Sequence, residues 1–286
     1  MAYLEFSFRP EVSGPILVCA FAGWNDGGEA ASTALRYARE RWGARRFARI
    51  DPEEFFDFQV NRPTVRLDEG QTRRLDWPAC EFFHARVGGR DLIVFLGVEP
   101  NVRWRTFCEQ ILAVSRDLGV RLLVTLGAFL ADVPHTFPTP VTAASSDPEW
   151  SSRLDVEPSR YEGPTGILGV LNEMASRTGV PALSLWGAAS HYLPSGTNPK
   201  VALALLEKLG ELLEVPIDLA GMRTATAVWD QQVRRAIEED EDLVAYVRRL
   251  EELTEEGRDL GEIPSGDQLA DELERFLRDQ RGDGGS

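Results

Sequence analysis

The sequence predicts a three-layer α/β/α sandwich with a mostly parallel central sheet and a C-terminal helical extension, and three observations carry that reading. Four apolar runs, Pro15 to Phe21, Leu92 to Leu96, Leu122 to Leu126 and Ala182 to Trp186, lack polar alternation. Such runs read as strands covered on both faces, which belong mainly to parallel sheets flanked by helices. The stretches between them have helical character and stop at Gly43, Gly119 and Gly179, where glycine supplies the left-handed residue that ends a helix. The links are short, and strand-helix-strand connections of that kind give right-handed parallel crossovers.

Taken in order, the strand Pro15 to Phe21 runs into Ala22-Gly23-Trp24-Asn25-Asp26 and a helix from Gly27 to about Trp42. Asp26 and Glu29 have the spacing of a capping box, in which each end of the first turn satisfies the other. Arg45 to Ile50 is the next strand, and Arg62 to Leu67 a short one after a Phe-rich segment. Glu81 to Val87, Gly88-Gly89 and Leu92 to Leu96 form a hairpin. Asn101 is placed to cap the helix ending at Leu118, and Leu122 to Leu126 follows almost at once. Pro140 to Ala144 reads as a short strand and Ser145 to Pro158 as irregular surface, before Gly166 opens a further helix. The strand Ala182 to Trp186 exits into Gly187 to Asn198, and Asn198-Pro199 is a capping pair with Pro at the first helical position.

Beyond about Leu219 strand signals cease. Ala225 to Leu253 reads as one helix, with Val233, Ile237, Val244, Val247 and Leu250 on its apolar stripe, and Leu269, Leu273, Phe276 and Leu277 mark a second. The expected organisation is a sandwich domain over 1–221, an acidic helical extension over 222–280 and a disordered tail over 281–286.

Charge and composition narrow the function classes. The formal net charge is -15, and from Asp230 to Ser286 eighteen acidic residues face eight arginines, a balance of 8 - 18 = -10. Nucleic acid is a poor partner for such a chain, since phosphate binding needs clustered positive charge. No apolar run approaches the length of a membrane helix, and the amino terminus carries no signal-peptide pattern, so cytoplasm and no membrane partner are expected. Cys19, Cys80 and Cys108 are widely spaced without a CxxC pair, and His84, His135 and His191 have no partner at metal-ligand spacing. No metal and no cofactor are expected. Lys200 and Lys208 are the whole lysine complement, neither follows a glycine-rich loop, and no P-loop, GxSxG or HExxH pattern occurs.

What chemistry remains gathers at the carboxyl edge of the sheet, where open α/β folds place their ligands. Helix starts near Gly27, Val102, Gly166 and Pro199 follow strands and present free N-H groups there. Asn25, Asp26, Glu99, Arg103, Asp132, His135, Gly163, Thr165, Gly166 and His191 are the candidate pocket residues. Asp26 and Glu99 serve either as self-caps or as pocket acids. Arg103 serves either as cationic surface or in an ion pair with Glu99 or Asp132. His135, and His191 beside Tyr192, are general bases or loop histidines held by hydrogen bonds. The GPTGILG segment has no acid at its own cap, so it is either an anion cradle or a tight turn.

The blocks FAGWNDGGEAA, LGVEPNVRWRTF, LGAFLADVPHTFPTPV, YEGPTGILGVL and SHYLPSGTNPKVALALL, in this order and spacing, resemble the proteasome assembly chaperone 2 family in its prokaryotic, actinobacterial-type branch. The acidic segment SGDQLADELERFLRDQ resembles the same branch. The resemblance implies a phosphorylase/hydrolase-like sandwich, self-association with a trimer favoured, no catalytic residues, and a proteasome-related protein partner. It implies a non-catalytic assembly or binding factor. The alternative is a small-molecule enzyme or ligand-binding protein of nucleoside-phosphorylase-like or ATP-dependent carboligase type. The chain ends Gly282-Asp283-Gly284-Gly285-Ser286 instead of the hydrophobic-tyrosine tail by which relatives dock on proteasome rings.

Overall fold

The structure is a computed structural model and describes residues 3–68, 72–145, 147–154, 156, 161–193 and 196–255. Its centre is an eight-stranded sheet in the order β1-β3-β6-β7-β2-β8-β10-β9. These strands are β1 (Leu4–Phe6), β2 (Ile16–Ala22), β3 (Arg45–Ile50), β6 (Cys80–Val87), β7 (Arg90–Val98), β8 (Leu122–Ala131), β9 (Val141–Ser145) and β10 (Ala182–Ser190). The middle strands β7, β2, β8 and β10 are mutually parallel, while β6 pairs antiparallel with β7 and β9 with β10. β4 (Thr64–Asp68) and β5 (Thr72–Asp76) form a separate two-stranded ribbon.

The parallel strands are apolar throughout because both faces are covered. Ile16, Val18 and Ala20 of β2 point into one core with Leu92, Val94 and Val124, beneath α1 (Ala30–Arg41) and α5 (Pro199–Leu213). Leu17, Cys19 and Phe21, one residue out of phase, join Ile93, Phe95 and Leu123 beneath α2 (Trp104–Leu118) and α4 (Ile167–Arg177). That alternation is the period of two of a strand with apolar partners on either side. The three cysteines are part of this packing: all are buried, and burial raises the Cys19 thiol well above its usual range and pushes Cys80 and Cys108 up to about 12. They are inert filler.

α3 (Pro148–Leu154) occupies the stretch expected to be irregular. α6 (Ala220–Glu238) packs on α5, and α7 (Glu241–Glu255) on α6. The stretch Ala225 to Leu253 is therefore not one helix. It breaks at Asp240, whose carboxylate accepts from the amides of Asp242 and Leu243 and so starts a new helix instead of continuing the old one. The second expected stripe, Leu269 to Leu277, and the tail lie outside the described residues.

Three local expectations need correction. The capping box at α1 does not form: Gly27–Glu29 is a 3-10 turn with Gly28 and Glu29 in the left-handed region, at φ 60° and 49°. Asp26 instead reaches across this kink to accept from the Ser32 amide at 3.0 Å, and Glu29 accepts from the Thr197 hydroxyl at 2.9 Å. Asn101 does not cap α2; its side chain accepts from the Asp57 amide and from Asn61 Nδ2, both at 2.8 Å. α4 does not follow a strand directly, because β9 runs antiparallel and the chain has to return to the carboxyl edge before Ile167. Asn198 caps α5 as its sequence suggests, accepting from the Val201 amide at 3.1 Å.

Candidate functional site

The loops leaving β2, β7, β8 and β10 emerge at one edge, and they divide the ten candidate residues into three groups. In the first group, Glu99 follows β7 and stands between the loop after β2 and the start of α4. Its Oε1 accepts from the Ile167 amide at 2.8 Å and from Asn25 Nδ2 at 3.2 Å, and its Oε2 accepts from the Trp24 amide at 3.3 Å. The acid missing from GPTGILG thus arrives from another loop: Glu99 supplies the negative charge that the N-terminus of α4 attracts. Gly166 is required by the same arrangement, since a Cβ there would lie 2.1 Å from Asn25 Nδ2. Gly163 and Thr165 are exposed beside it, with the Thr165 hydroxyl folded over Gly169, where a Cβ would meet it at 2.0 Å.

Asp26 is also built in. The Asn25 carbonyl accepts from the Ala128 amide at 2.9 Å, and Asp26 and Ala128 form an isolated parallel bridge, so the loop after β2 is stitched to β8. Burial raises the Asp26 carboxyl above its usual range, opposed by hydrogen bonds from Ser32 and Ala31, and its Oδ2 lacks a partner among the described residues. Its role is the cap of α1.

Arg103 forms the second group alone. It lies in the left-handed region at φ 56° before α2, where its guanidinium pairs with Glu54 and donates to the Tyr3 hydroxyl at 2.9 Å. The expected ion pair with Glu99 or Asp132 is absent, because the αL backbone turns the side chain toward the β1 side of the sheet and away from the loop of β8.

The third group joins the loops of β8 and β10 to the C-terminal helices. His135 bonds twice to Tyr192: its amide donates to the phenol oxygen at 2.8 Å, and its Nδ1 is 2.8 Å from the same atom. A phenol that accepts from the amide and donates to Nδ1 needs that nitrogen unprotonated. Burial, then the nearby Lys200 cation, lowers the His135 pKa, against the acids Asp230 and Glu251. Lys200 itself donates to the His135 carbonyl and is held below its usual range by burial, with Asp230 at 3.9 Å opposing. His191 Nδ1 is 2.9 Å from Asp132 Oδ1, which also accepts from the Tyr246 phenol of α7 at 3.1 Å. Burial and that carboxylate push Tyr246 up to about 12.

Four rings, His135, Tyr192, His191 and Tyr246, meet edge to face with centroids 5.6–5.8 Å apart. The Thr136 hydroxyl adds a 2.5 Å bond to Glu251. A small cleft lies beside them, lined by Val133, His135, Ser190, Lys200 and Trp229 among others, with space for about one water molecule. Of the ten candidates only His135 lines it. Among the described residues no group of three or more His, Cys, Asp or Glu could hold a metal ion, and no helix is long and apolar enough to cross a membrane.

Sequence reasoning passed over Tyr246 and discounted Lys200. The signal for Tyr246 was its place on the apolar stripe of α7 between Leu243 and Leu250: an aromatic residue with a polar tip on a buried face finds a partner there.

The fold and this edge define a class: an α/β/α sandwich protein whose carboxyl-edge loops are tied together by its own acids, histidines and tyrosines, with an appended helical pair. The family model for the PAC2 family matches residues 20–237, and the chain belongs to that family. Among solved structures it is similar to a PAC2 family protein from Streptomyces avermitilis, at 46% identity over 82% of this chain and 99% of that one, with a TM-score of 0.76. It is also similar to a Mycobacterium tuberculosis proteasome-assembly chaperone homologue, at 42% identity over 81% of this chain and 99% of that one, with a TM-score of 0.73. An archaeal proteasome activator from Pyrococcus furiosus shares the fold, at 19% identity over 82% of this chain and 97% of that one, with a TM-score of 0.65. Among curated proteins none matches.

Proposed function

We propose that the protein is a non-catalytic, self-associating assembly factor of the cytoplasm that holds protein subunits, and that those subunits belong to a proteasome. The observation that supports this reading is the use made of the carboxyl edge. Glu99 caps α4, Asp26 caps α1, and His135 and His191 are bonded to Tyr192 and Asp132. Groups spent on internal bonds make a rigid surface of fixed shape, which suits recognition of a partner. The resemblance to a proteasome-assembly chaperone homologue points to the partner, and the sequence blocks favour three copies in the self-associated form. In this reading the extension from residue 222 onward is a cover for the sandwich.

The test is native mass spectrometry of the full chain mixed with purified proteasome α and β subunits from its own organism. The expected result is a complex containing α subunits together with more than one copy of this chain. A single-copy species that binds neither subunit would overturn the proposal. A thermal shift with phosphate, nucleosides or ATP would favour a small-molecule protein instead.

A further inference from the structure

The small cleft beside the histidine-tyrosine cluster is rich in donors that nothing answers. Part of its lining is the start of α5, where Asn198 and Lys200 stand, and the Trp229 indole of α6 lines it too. Asn198 is 7% exposed; its side-chain oxygen accepts from the Val201 amide, while its Nδ2 has no acceptor among the described residues. The first turn of α5 leaves over one backbone donor as well. Pro199 has no N–H, Val201 is taken by the Asn198 side chain and Ala202 by the Asn198 carbonyl at 3.2 Å, so the Lys200 amide is without an acceptor among the described residues.

The Lys200 ammonium adds positive charge to these dipoles. It donates to the His135 carbonyl and carries more hydrogens than that bond uses. The Asp230 carboxylate stands 3.9 Å away, beyond hydrogen-bond reach. Burial holds the Lys200 pKa below its usual range against the pull of Asp230, as befits a cation whose charge is incompletely answered. The Trp229 indole N–H, which can only donate, also has no acceptor among the described residues. Asp230 and Glu251 are near His135, as is Arg234, yet among the described residues no carboxylate lines the cleft.

These donors are fixed in advance. The Asn198 amide donates to the Gly28 carbonyl at 2.7 Å, and a Cβ at Gly28 would lie 2.8 Å from the Asn198 Cβ, so the cap is pinned by the loop after β2. The Thr226 hydroxyl donates to the Pro199 carbonyl at 3.2 Å and so holds α6 to the start of α5 just before Trp229. Val133, Phe137 and Val201 supply apolar walls, which weaken the screening of charge inside. Converging donors and a cation call for a negative acceptor, and space for about one water molecule is too little for phosphate or a carboxylate. We propose that the cleft at the start of α5 binds a single monatomic anion, chloride, held by Lys200, Asn198 and Trp229, and that the bound ion fastens α6 to the sandwich. Its lining joins the loop after β8, the start of α5 and α6, so an occupant ties the helical cover to the body.

The test is hydrogen-deuterium exchange of the full chain at fixed ionic strength, with sodium gluconate replaced stepwise by sodium chloride, in the wild type and in Lys200→Met. The expected result is a saturable slowing of exchange at the α6 amides around Trp229, by about tenfold once chloride reaches about ten times its dissociation constant. The amides of α4 should not respond, and Lys200→Met should lose the response at α6. An equal response in the two proteins, or none in the wild type, overturns the proposal and leaves the cleft to water. Should Lys200→Met unfold, a wild-type crystal soaked in bromide decides. An anomalous scattering peak in the cleft supports the site; bromide found only elsewhere on the surface, or nowhere, overturns it.

Discussion

The two halves of the carboxyl edge are finished differently. Over β8 and β10 the chain supplies its own cover: α6 and α7 carry Val233, Ile237 and Val247 onto Tyr192 and Leu193, and the histidine-tyrosine cluster fixes them there. Over β2 and β7 the loops are tied to one another by Glu99, but among the described residues no helix is laid over them, and Trp24, Val102 and the ribbon are exposed. The difference teaches that polar satisfaction and apolar coverage are separate problems. Among the described residues the first half solves both within one chain, and the second solves the polar one while its apolar side chains stay exposed.

The sharpest way to break this comparison is to remove the cover. Deleting residues 230 to 286 takes away Val233, Ile237, Val247 and Leu250, all buried, and bares Trp229 and Tyr192. Each buried aliphatic side chain contributes about 1.5–3 kcal/mol. Part of that sum belongs to the helices' own ordering, so we expect the remaining body to lose several kcal/mol of stability and its melting midpoint to fall by about 10 °C or more, read by scanning calorimetry. A truncated chain with an unchanged midpoint would mean that the helices are a separate recruiting arm and the two halves are alike.

The second test bears on the polar seam of the open half. Glu99→Ala leaves the amides of Trp24 and Ile167 and the Asn25 side chain without their acceptor and strips α4 of its capping charge. Hydrogen bonds to a charged group are worth about 1.5–3 kcal/mol each, and water replaces part of the loss at this half-buried site, so a destabilisation of about 2–3 kcal/mol is expected in urea unfolding. Glu99→Gln keeps the acceptor oxygen and should recover part of it. A catalytic carboxylate would show the opposite pattern, with stability unchanged or improved on removal.

Much of this frame was legible beforehand, and what was missed has physical reasons. The parallel strands declared themselves through unbroken apolar runs, and β3, the hairpin turn and the Asn198 cap through local chemistry. The ribbon was half seen: Arg62 to Leu67 reads as a strand, but its partner TRRLD has one aliphatic residue and two arginines, and without a core to face it carries no burial signal. The candidate residues lie on loops and helix starts of the carboxyl edge, as their places after strands imply, but their grouping was not legible. Glu99 caps a helix 68 positions away, and Arg103 turns aside because of a single left-handed residue. Both depend on tertiary approach, which spacing along a chain does not encode.

The smallest effect expected is one of pH, and it sharpens the contrast because it is confined to the covered half. The folded His135 has a lowered pKa, caused by burial and by Lys200, so the unfolded chain binds its proton more readily. A group of that kind contributes nothing to pH dependence while it is neutral in both states. As pH falls through the unfolded value of about 6.5, the unfolded chain takes up a proton that the folded chain resists, and stability declines until the folded value is passed. Protonation at Nδ1 also removes the acceptor for the Tyr192 phenol, so the loss concentrates where α6 and α7 meet the sheet. We expect amides of α7 to exchange faster between pH 6.5 and 5.5 by hydrogen-deuterium exchange, corrected for the intrinsic rate, while those of α4 beside Glu99 keep their protection. In His135→Gln the pH dependence at α7 should flatten. Persistence of the same acid response in that variant would assign it to another group and break the link between the histidine-tyrosine cluster and the helical cover.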